Sequence, residues 1–321
     1  MTGVALVASL AACGSDADPE GAIEISGSAT VEPITQAVAD RGGFDVAIRA
    51  EGTTDGFERF CAGETAVHNA SVPVPGAGQL TDFLAECERN DVEFVEIPVA
   101  LDALTLVIHA TNTFARDLTM DEVRRMWEPG SEVTTWADVR PEWPDDEVSF
   151  YGRPDGSGTF EYFSHQVSGE AGELRDDYRA TDDVRELAGW LAEDPQGMGF
   201  MGAGNYLAAP GEDRDRITNV AIDGVVPTRE EAQSGAYRPF TRPLFVYVNT
   251  DLAAEDEDVT RFVDYYVDEV QSILPLVYFY PLPDDVHDAA AERWHDRTPG
   301  TMFGGDPFGE VDLREALGTE G

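Results

Sequence analysis

Two long apolar runs dominate the hydrophobic pattern of the chain. Residues 94–110 (FVEIPVALDALTLVIHA) and 242–250 (RPLFVYVNT) are nearly continuous in apolar side chains and rich in β-branched residues. Strands that are buried on both faces have this pattern. The sequence therefore predicts two buried strands, each able to cross between two domains.

Apolar positions at helical spacing predict amphipathic helices in three further segments. These segments are residues 119–130, 181–194 and 257–274, in which polar positions fall on the opposite face. Residues 197–206 (GMGFMGAGNY) are rich in glycine and predict a strand followed by a turn.

A strand, a turn of small and hydroxyl residues, and a helix follow one another three times. The turns lie at residues 28–30, 52–56 and 153–159. This unit is typical of an open α/β sheet, whose ligands bind at the carboxyl ends of the strands. Because the first N–H groups of a helix lack partners within the helix, we expect three helix N-termini with free amides for an anion. Any one of these turns by itself is more often a simple helix cap.

The charge of the chain is extreme for its length. Its 321 residues include 63 acidic and 21 basic side chains, a formal net charge of −42, and no lysine occurs. Nucleic acid and anionic membrane surfaces are therefore poor partners, and a Walker-type phosphate loop and a lysine Schiff base are excluded. The acidic residues are spread along the chain, which predicts a solvated surface adapted to high salt.

The first 13 residues predict an export signal. An apolar run too short to span a membrane ends in Leu10, Ala11, Ala12 and Cys13, and residues 14–22 form an acidic linker. This resembles a lipoprotein signal with Cys13 as the lipidated residue, which would anchor an exported protein to the outer face of the cytoplasmic membrane. A frayed or mis-started N-terminus is the alternative, because no basic residue precedes the run.

The remaining cysteines are Cys61 and Cys87. In an exported protein an even number of cysteines favours a disulfide, and two buried thiols are the alternative. The sequence has no Cys-x-x-Cys motif and no Cys/His spacing of the zinc type, and its five histidines are scattered. We therefore predict neither a metal nor a cofactor.

The third turn, within YGRPDGSGTFEYF at residues 151–163, has the most groups that could bind an anion. Arg153 offers a planar fork of donors, Ser157 and Thr159 add hydroxyls, and Gly158 lets the backbone approach an anion closely. We expect Asp155 to orient the guanidinium. A surface Arg–Asp pair beside a capped helix would account for the charges, but not for the cluster of small residues.

Six segments resemble the phosphate-binding lipoproteins of ABC-type phosphate importers. They are ISGSATVEPI, EGTTDGFERFCAGET, NASVPV, IPVALDALTLVI, GRPDGSGTFEYF and RPLFVYV, in the order and spacing of that family. The resemblance covers nearly the whole chain from Ile23 onward, and the arginine turn is its most specific part. It implies an α/β, two-domain periplasmic-binding-protein fold of type II, with mixed sheets flanked by helices and one phosphate in the interdomain cleft.

The resemblance also implies domain boundaries, ligands and partners. With the two crossing strands it predicts a discontinuous domain I, residues 23–107 plus 243–321, and an inserted domain II, residues 108–242. We expect a monomer. The implied partners are inorganic phosphate and the permease subunits in the membrane. The implied phosphate ligands are Thr30 (hydroxyl), Val31 (backbone N–H), Thr53, Arg153, Ser157, Gly158 and Thr159, with Asp155 matching the aspartate that pairs with the arginine.

One position departs from the family. Well-known members have an aspartate directly after the serine that matches Ser71, and a carboxylate there can accept the phosphate proton while repelling sulfate. This chain has Val72 instead. Asp55 in the second turn is our candidate for the proton acceptor. The alternative is weaker discrimination between anions.

Two other functions compete with a transport receptor. One is a secreted phosphatase or esterase with Ser157 as nucleophile, although Gly-Ser-Gly is not a Gly-x-Ser-x-Gly elbow and no evident His/Asp pair or metal cluster accompanies it. The other is an oxyanion-binding sensor that is not coupled to transport. We expect a binding protein and no enzyme.

Overall fold

The computed structural model describes residues 21–155, 157–238, 240–309 and 312–319. The predicted signal with Cys13, and most of the acidic linker, lie outside these residues. None of the described helices combines the length and the apolar character needed to cross a membrane.

Eleven strands are present in the described part of the chain. Nine form one mixed sheet in the order β2-β1-β3-β11-β4-β8-β6-β7, with β9 also paired to β4, and β5 and β10 form a small separate pair. The strands are β1 Ile23–Gly27, β2 Val46–Arg49, β3 Val67–Ala70, β4 Phe94–His109, β5 Asp117–Leu118, β6 Ser149–Gly152, β7 Arg179–Ala180, β8 Gly197–Gly202, β9 Ile217–Asn219, β10 Ala221–Ile222 and β11 Thr241–Asn249.

Helices cover the faces of the sheet. They are α1 Glu32–Gly42, α2 Thr53–Cys61, α3 Phe83–Arg89, α4 Met120–Trp127, α5 Trp136–Val139, α6 Gly158–Ser168, α7 Val184–Glu193, α8 Ala203–Ala208, α9 Gly211–Arg214, α10 Arg229–Gln233, α11 Thr250–Glu255, α12 Glu257–Ile273, a 3-10 turn at Leu274–Val277, α13 Asp284–His295 and α14 Leu313–Leu317. The predicted helices at 119–130, 181–194 and 257–274 are confirmed as α4, α7 and α12. A capping box at Thr119 and a side-chain cap at Asp183 fix where the first two begin.

The long strand β4 joins the two halves of the sheet. The first part of β4 pairs antiparallel with β11, and its second part pairs with β8. Every residue of β4 is buried except Asp102, which is partly exposed. The prediction of two buried strands is therefore confirmed, with Asp102 as the polar exception in β4, and β4 is the strand that pairs with both halves of the sheet.

Two separate apolar clusters pack in the two halves of the sheet. One joins β1, β11 and the first half of β4 to α1 and α12, and another joins the second half of β4 to α4, α6 and β8. Trp127 and Trp136 are fully buried in the second cluster. Each half of the sheet thus has its own core.

A disulfide joins the end of α2 to α3. Cys61 and Cys87 are bonded, and both lie in a buried cluster with Phe57, Phe60 and Phe83. The predicted disulfide is confirmed.

Candidate functional site

Four strands of the sheet end at the same cleft. β1, β2 and β3 are parallel neighbours in one half of the sheet, and β6 lies in the other half. The residues after these strands line a cleft of about 650 Å³. Of the residues singled out in the sequence, those at the cleft are Thr30, Thr53, Asp55, Ser71, Arg153, Ser157, Gly158 and Thr159.

The first and third turns touch each other across the cleft. Thr30 Oγ1 lies 3.1 Å from the point where a Cβ on Gly158 would lie, and Ser71 Oγ lies 3.6 Å from the same point. A side chain at Gly158 would crowd the Thr30 hydroxyl and contact that of Ser71, so glycine suits this close approach. The three sequence motifs therefore converge, although their ligand roles stay predictions.

The first turn differs from the expected anion site. The Val31 N–H donates to the Ser28 carbonyl (3.1 Å), and the Thr30 N–H donates to Ser28 Oγ (3.2 Å). The Val31 side chain is fully buried. Because these amides are already bonded, the expectation of free N–H groups at all three turns is wrong for this turn, which offers the Thr30 hydroxyl instead.

The second turn keeps its amides free of helical bonds. The first bond of α2 runs from Gly56 N to Gly52 O (3.0 Å), so the N–H groups of Thr53, Thr54 and Asp55 precede it. Thr53 Oγ1 also accepts from the Ser71 N–H (3.2 Å) and lies 3.1 Å from Ser71 Oγ. These bonds fix the Thr53 and Ser71 hydroxyls side by side.

The third turn presents the N-terminus of α6. Ser157 is its N-cap, and Ser157 Oγ accepts from the Phe160 N–H (3.1 Å). The first helical bond, from Glu161 N to Ser157 O, leaves the Gly158 and Thr159 amides ahead of it. Positive helix-dipole charge and free amides at one end suit an anion.

The geometry around Ser157 does not resemble that of an activated nucleophile. Its hydroxyl oxygen caps the helix, and the His165 ring stacks on Phe308 with 4.1 Å between ring centroids. A serine nucleophile needs a base within hydrogen-bonding distance. No hydrogen bond joins Ser157 to a histidine in the described part of the chain.

Arg153 faces the cleft with part of its guanidinium unmatched. Nη1 donates to the Asp182 carbonyl, and Nη2 lies 3.5 Å from Asp182 Oδ1. Nε is buried and has no hydrogen-bond partner among the described residues. Loss of solvent lowers the pKa of this guanidinium, and Asp182 opposes that shift. An arginine with spare donors at a cleft wall can bind an anion.

The carboxylate beside Arg153 is Asp182, which differs from the prediction. Asp155 is exposed and does not line the cleft, and no bond between Asp155 and Arg153 is present among the described atoms. Asp182 follows β7, the strand paired with β6, so sheet pairing brings it to the arginine. Proximity in sequence pointed to the wrong aspartate.

Several carboxylates line the cleft. None is at position 72, where this chain has valine in place of the aspartate of well-known family members. Asp55 is exposed at the cleft, and its role as proton acceptor stays a prediction. Glu161 is also there, and partial desolvation raises its pKa. Asp102 is buried more deeply; desolvation raises its pKa, and Arg242 works in the opposite direction.

Arg242 and Asp102 were not singled out in the sequence. Both fall within predicted apolar strands, and they lie directly opposite each other in the β11–β4 ladder. Arg242 Nε donates to Asp102 Oδ2 (3.1 Å), and Nη1 donates to the Gly158 carbonyl (3.2 Å). The signal that could have found them is a pair of opposite charges in two strands expected to be buried.

No three His, Cys, Asp or Glu side chains are grouped to hold a metal ion in the ranges that the structure describes. The polar groups at the cleft are hydroxyls, amides, carboxylates and guanidinium groups. This set is suited to an oxyanion.

The fold and the cleft define a periplasmic binding protein. Residues 14–270 match the PBP superfamily domain. The match covers most of the chain, so the chain belongs to the PBP superfamily. The predicted two-domain fold with mixed sheets flanked by helices is thereby confirmed.

The chain is also similar to individual proteins within this class. The chain is similar to protein SphX of Synechocystis sp., with 34% identity over 308 residues, 92% of this chain and 88% of the relative. It is also similar to the phosphate-binding protein PstS of Staphylococcus saprophyticus, with 26% identity, 81% of this chain and 82% of the relative. A crystal structure described as a possible phosphate-binding protein from Planctomyces limnophilus superposes with a TM-score of 0.71 and 31% identity, covering 87% of this chain and 99% of that one.

Proposed function

We propose that the protein is an exported receptor that binds inorganic phosphate and delivers it to an ABC permease. The observation that carries this proposal is that the α6 N-terminus, Arg153 and the Thr30 and Ser71 hydroxyls line one cleft, with both hydroxyls close to Gly158. The names of the PstS relative and the Planctomyces protein support the choice of phosphate.

The donors fit a tetrahedral oxyanion. The Gly158 and Thr159 amides point outward from a helix N-terminus, which favours negative charge. Arg153 brings a full positive charge and can meet two oxygens at once. Thr30, Thr53 and Ser71 add hydroxyls from the other half of the sheet, so a ligand held by all of them would join the two halves. The Val31 amide would contribute only after leaving Ser28.

The net charge of −42 opposes anion binding at long range. At 0.1 M salt the Debye length is about 10 Å, and at 1 M it is about 3 Å, so high salt screens the distant acidic surface. The proposed site therefore depends on groups in direct contact with the ligand. We infer that the acidic surface is an adaptation to high salt.

The domain boundaries, the membrane anchor and the assembly state belong to the same proposal. We propose a discontinuous domain at residues 23–107 plus 243–321 and an inserted domain at 108–242. The two cores support this division, although they divide β4 earlier, between Ala100 and Ala103. The Leu10 to Cys13 sequence supports lipid anchoring at Cys13 on the outer face of the membrane. A receptor of this kind works as a monomer and needs no catalysis.

Calorimetric titration of lipid-free protein with phosphate, arsenate and sulfate, at 0.1 M and 1 M NaCl, tests the proposal. We expect phosphate binding that weakens roughly a hundredfold or more in Arg153→Ala, because two charge-assisted hydrogen bonds contribute about 3–6 kcal/mol together. Arg179→Ala is the matched control, since Arg179 stacks on Trp190 and does not line the cleft. Absence of heat from all three anions in the wild type would refute the function, and equal effects of the two variants would refute the role of Arg153.

Titration with sulfate tests whether Asp55 accepts the phosphate proton. If Asp55 accepts the phosphate proton, Asp55→Asn loses the preference for phosphate over sulfate. An unchanged preference removes Asp55 from this role. A wild type that binds both anions equally supports the alternative that Val72 weakened the discrimination.

A further inference from the structure

A second arginine lies behind the third turn. Arg242 is only 5% exposed. Its Nε and Nη1 are bonded to Asp102 Oδ2 and the Gly158 carbonyl, and its Cζ lies 4.8 Å from the centroid of the Tyr162 ring. Nη2 lies 3.1 Å from Asp102 Oδ2, yet it has no hydrogen-bond partner among the described residues.

The unmatched nitrogen reaches the place where the turns meet. Nη2 is 3.7 Å from the point where a Cβ on Gly158 would lie, the same point that Thr30 Oγ1 and Ser71 Oγ approach to 3.1 and 3.6 Å. A guanidinium keeps its charge at any physiological pH. Nη2 is ion-paired with Asp102 but makes no hydrogen bond, and a buried donor without one is costly. A ligand oxygen held close to Gly158 would give this nitrogen an acceptor and reduce that cost.

We propose that Arg242, oriented by Asp102, is a second cation of the oxyanion site, and that the Asp102 carboxylate limits its attraction for the ligand. This inference rests on the proposed function. Arg153 approaches from the cleft wall, whereas Arg242 acts from beneath the α6 N-terminus. Its hydrogen bond to the Gly158 carbonyl also holds the turn whose amides face the cleft.

A purely structural pair is the competing explanation. Arg242 and Asp102 could simply tie the crossing strands to α6. In that case, removing either partner would loosen the same turn and would weaken binding in both variants. A charge that acts on the ligand gives the opposite pattern, because removing the arginine removes attraction while removing the carboxylate increases it.

The test therefore compares Arg242→Gln with Asp102→Asn. Both substitutions change one charge and keep a hydrogen-bonding side chain. We expect phosphate Kd to rise at least about tenfold in Arg242→Gln and to fall by about threefold or more in Asp102→Asn, as expected for one charge near a dianion in a screened site. Calorimetry gives Kd, and thermal unfolding without ligand reports stability.

Arg175→Gln is the matched control. Arg175 is also buried, at 4% exposure, and it donates to the Met126 and Val133 carbonyls and to Asp177, away from the cleft. Its loss should lower the Tm and leave phosphate Kd unchanged. The comparison separates loss of a buried arginine from loss of charge at the site.

The outcomes distinguish this inference from the proposed function. A wild type that binds no oxyanion overturns both. A wild type that binds phosphate, with Kd unchanged in Arg242→Gln or raised in Asp102→Asn, overturns only the inference. If Arg242→Gln does not fold, Asp102→Asn decides by itself, since only tighter binding supports the inference.

Discussion

Tyr247→Phe tests a fully buried hydrogen-bond network. The Tyr247 hydroxyl donates to Glu96 Oε2 (2.6 Å) and accepts from the Val74 N–H (2.8 Å). Tyr247 and Glu96 are both fully buried. Because Val74 lies three residues after Ser71, this hydroxyl also secures the loop that brings Ser71 to the cleft.

The cost follows from the two bonds that are lost. Glu96 keeps the Thr301 hydroxyl (2.9 Å) and the Met302 N–H (2.7 Å), but loses its shortest donor. The Val74 N–H is left without its acceptor. A hydrogen bond to a charged group contributes about 1.5–3 kcal/mol, and an unmatched buried amide costs about 1–3 kcal/mol. We expect the free energy of unfolding to fall by about 3–5 kcal/mol.

The cost should also depend on pH. Burial raises the pKa of Glu96, whereas the hydroxyl of Tyr247 lowers it. The stability associated with a carboxyl of raised pKa is fully present below its unfolded pKa and is lost as pH rises through the folded pKa. Removing Tyr247 raises the pKa of Glu96 further, so the variant loses more stability than the wild type as pH rises. The difference should be larger at pH 8 than at pH 5.

Urea unfolding at the two pH values, with Tyr266→Phe as control, measures both effects. Tyr266 is also buried, and its hydroxyl is hydrogen-bonded to Thr35 Oγ1 (3.2 Å), while Thr35 keeps its bond to Asn69. We expect a loss of about 1 kcal/mol for this variant. Equal losses in the two variants, or a smaller loss for Tyr247→Phe at pH 8 than at pH 5, would refute the reasoning.

Two further predictions concern other buried groups. The double variant Cys61→Ala/Cys87→Ala removes a cross-link between residues 26 apart, and its free energy of unfolding in urea should fall by about 3 kcal/mol; a loss below about 1 kcal/mol would contradict the chain-entropy argument. His68 is fully buried, and desolvation lowers its pKa to about 3. NMR titration should therefore find its ring neutral at pH 5, and stability should fall as pH drops from 6.5 toward 3, because the unfolded histidine binds the proton first. A midpoint near 6.5 for His68 would disprove this.

The elements that the sequence predicted well are those fixed by local pattern. A run such as residues 94–110 has no polar face for solvent, so burial on both sides is its stable arrangement. Thr119 and Asp183 mark the starts of α4 and α7 by capping chemistry that needs no distant partner. Tertiary contacts decide the rest, as at β8, where the predicted turn continues into the helix α8.

The candidate site was predictable to the extent that each turn is local. Glycine and hydroxyl residues at a strand end specify the position of Thr53 and Gly158 without knowledge of their neighbours. The bonds of the first turn are also local, but Ser28 can satisfy the amides with either its side chain or its carbonyl. The sequence does not determine whether those amides stay free. The conformation of the turn therefore decides whether the Val31 N–H can bind an anion.

The charged partners at the cleft depend on sheet register. Asp182 reaches Arg153 because β7 pairs with β6 in a register that sets Tyr151 opposite Arg179. Arg242 meets Asp102 because the β11–β4 ladder places them opposite each other despite 140 residues of separation. A shift of one residue would turn each side chain to the other face of the sheet. Two opposite charges inside two strands of apolar residues already restrict that register, because either charge without the other would be buried unpaired. The same pairing that fixes the crossing strands thus brings a guanidinium beneath the α6 N-terminus.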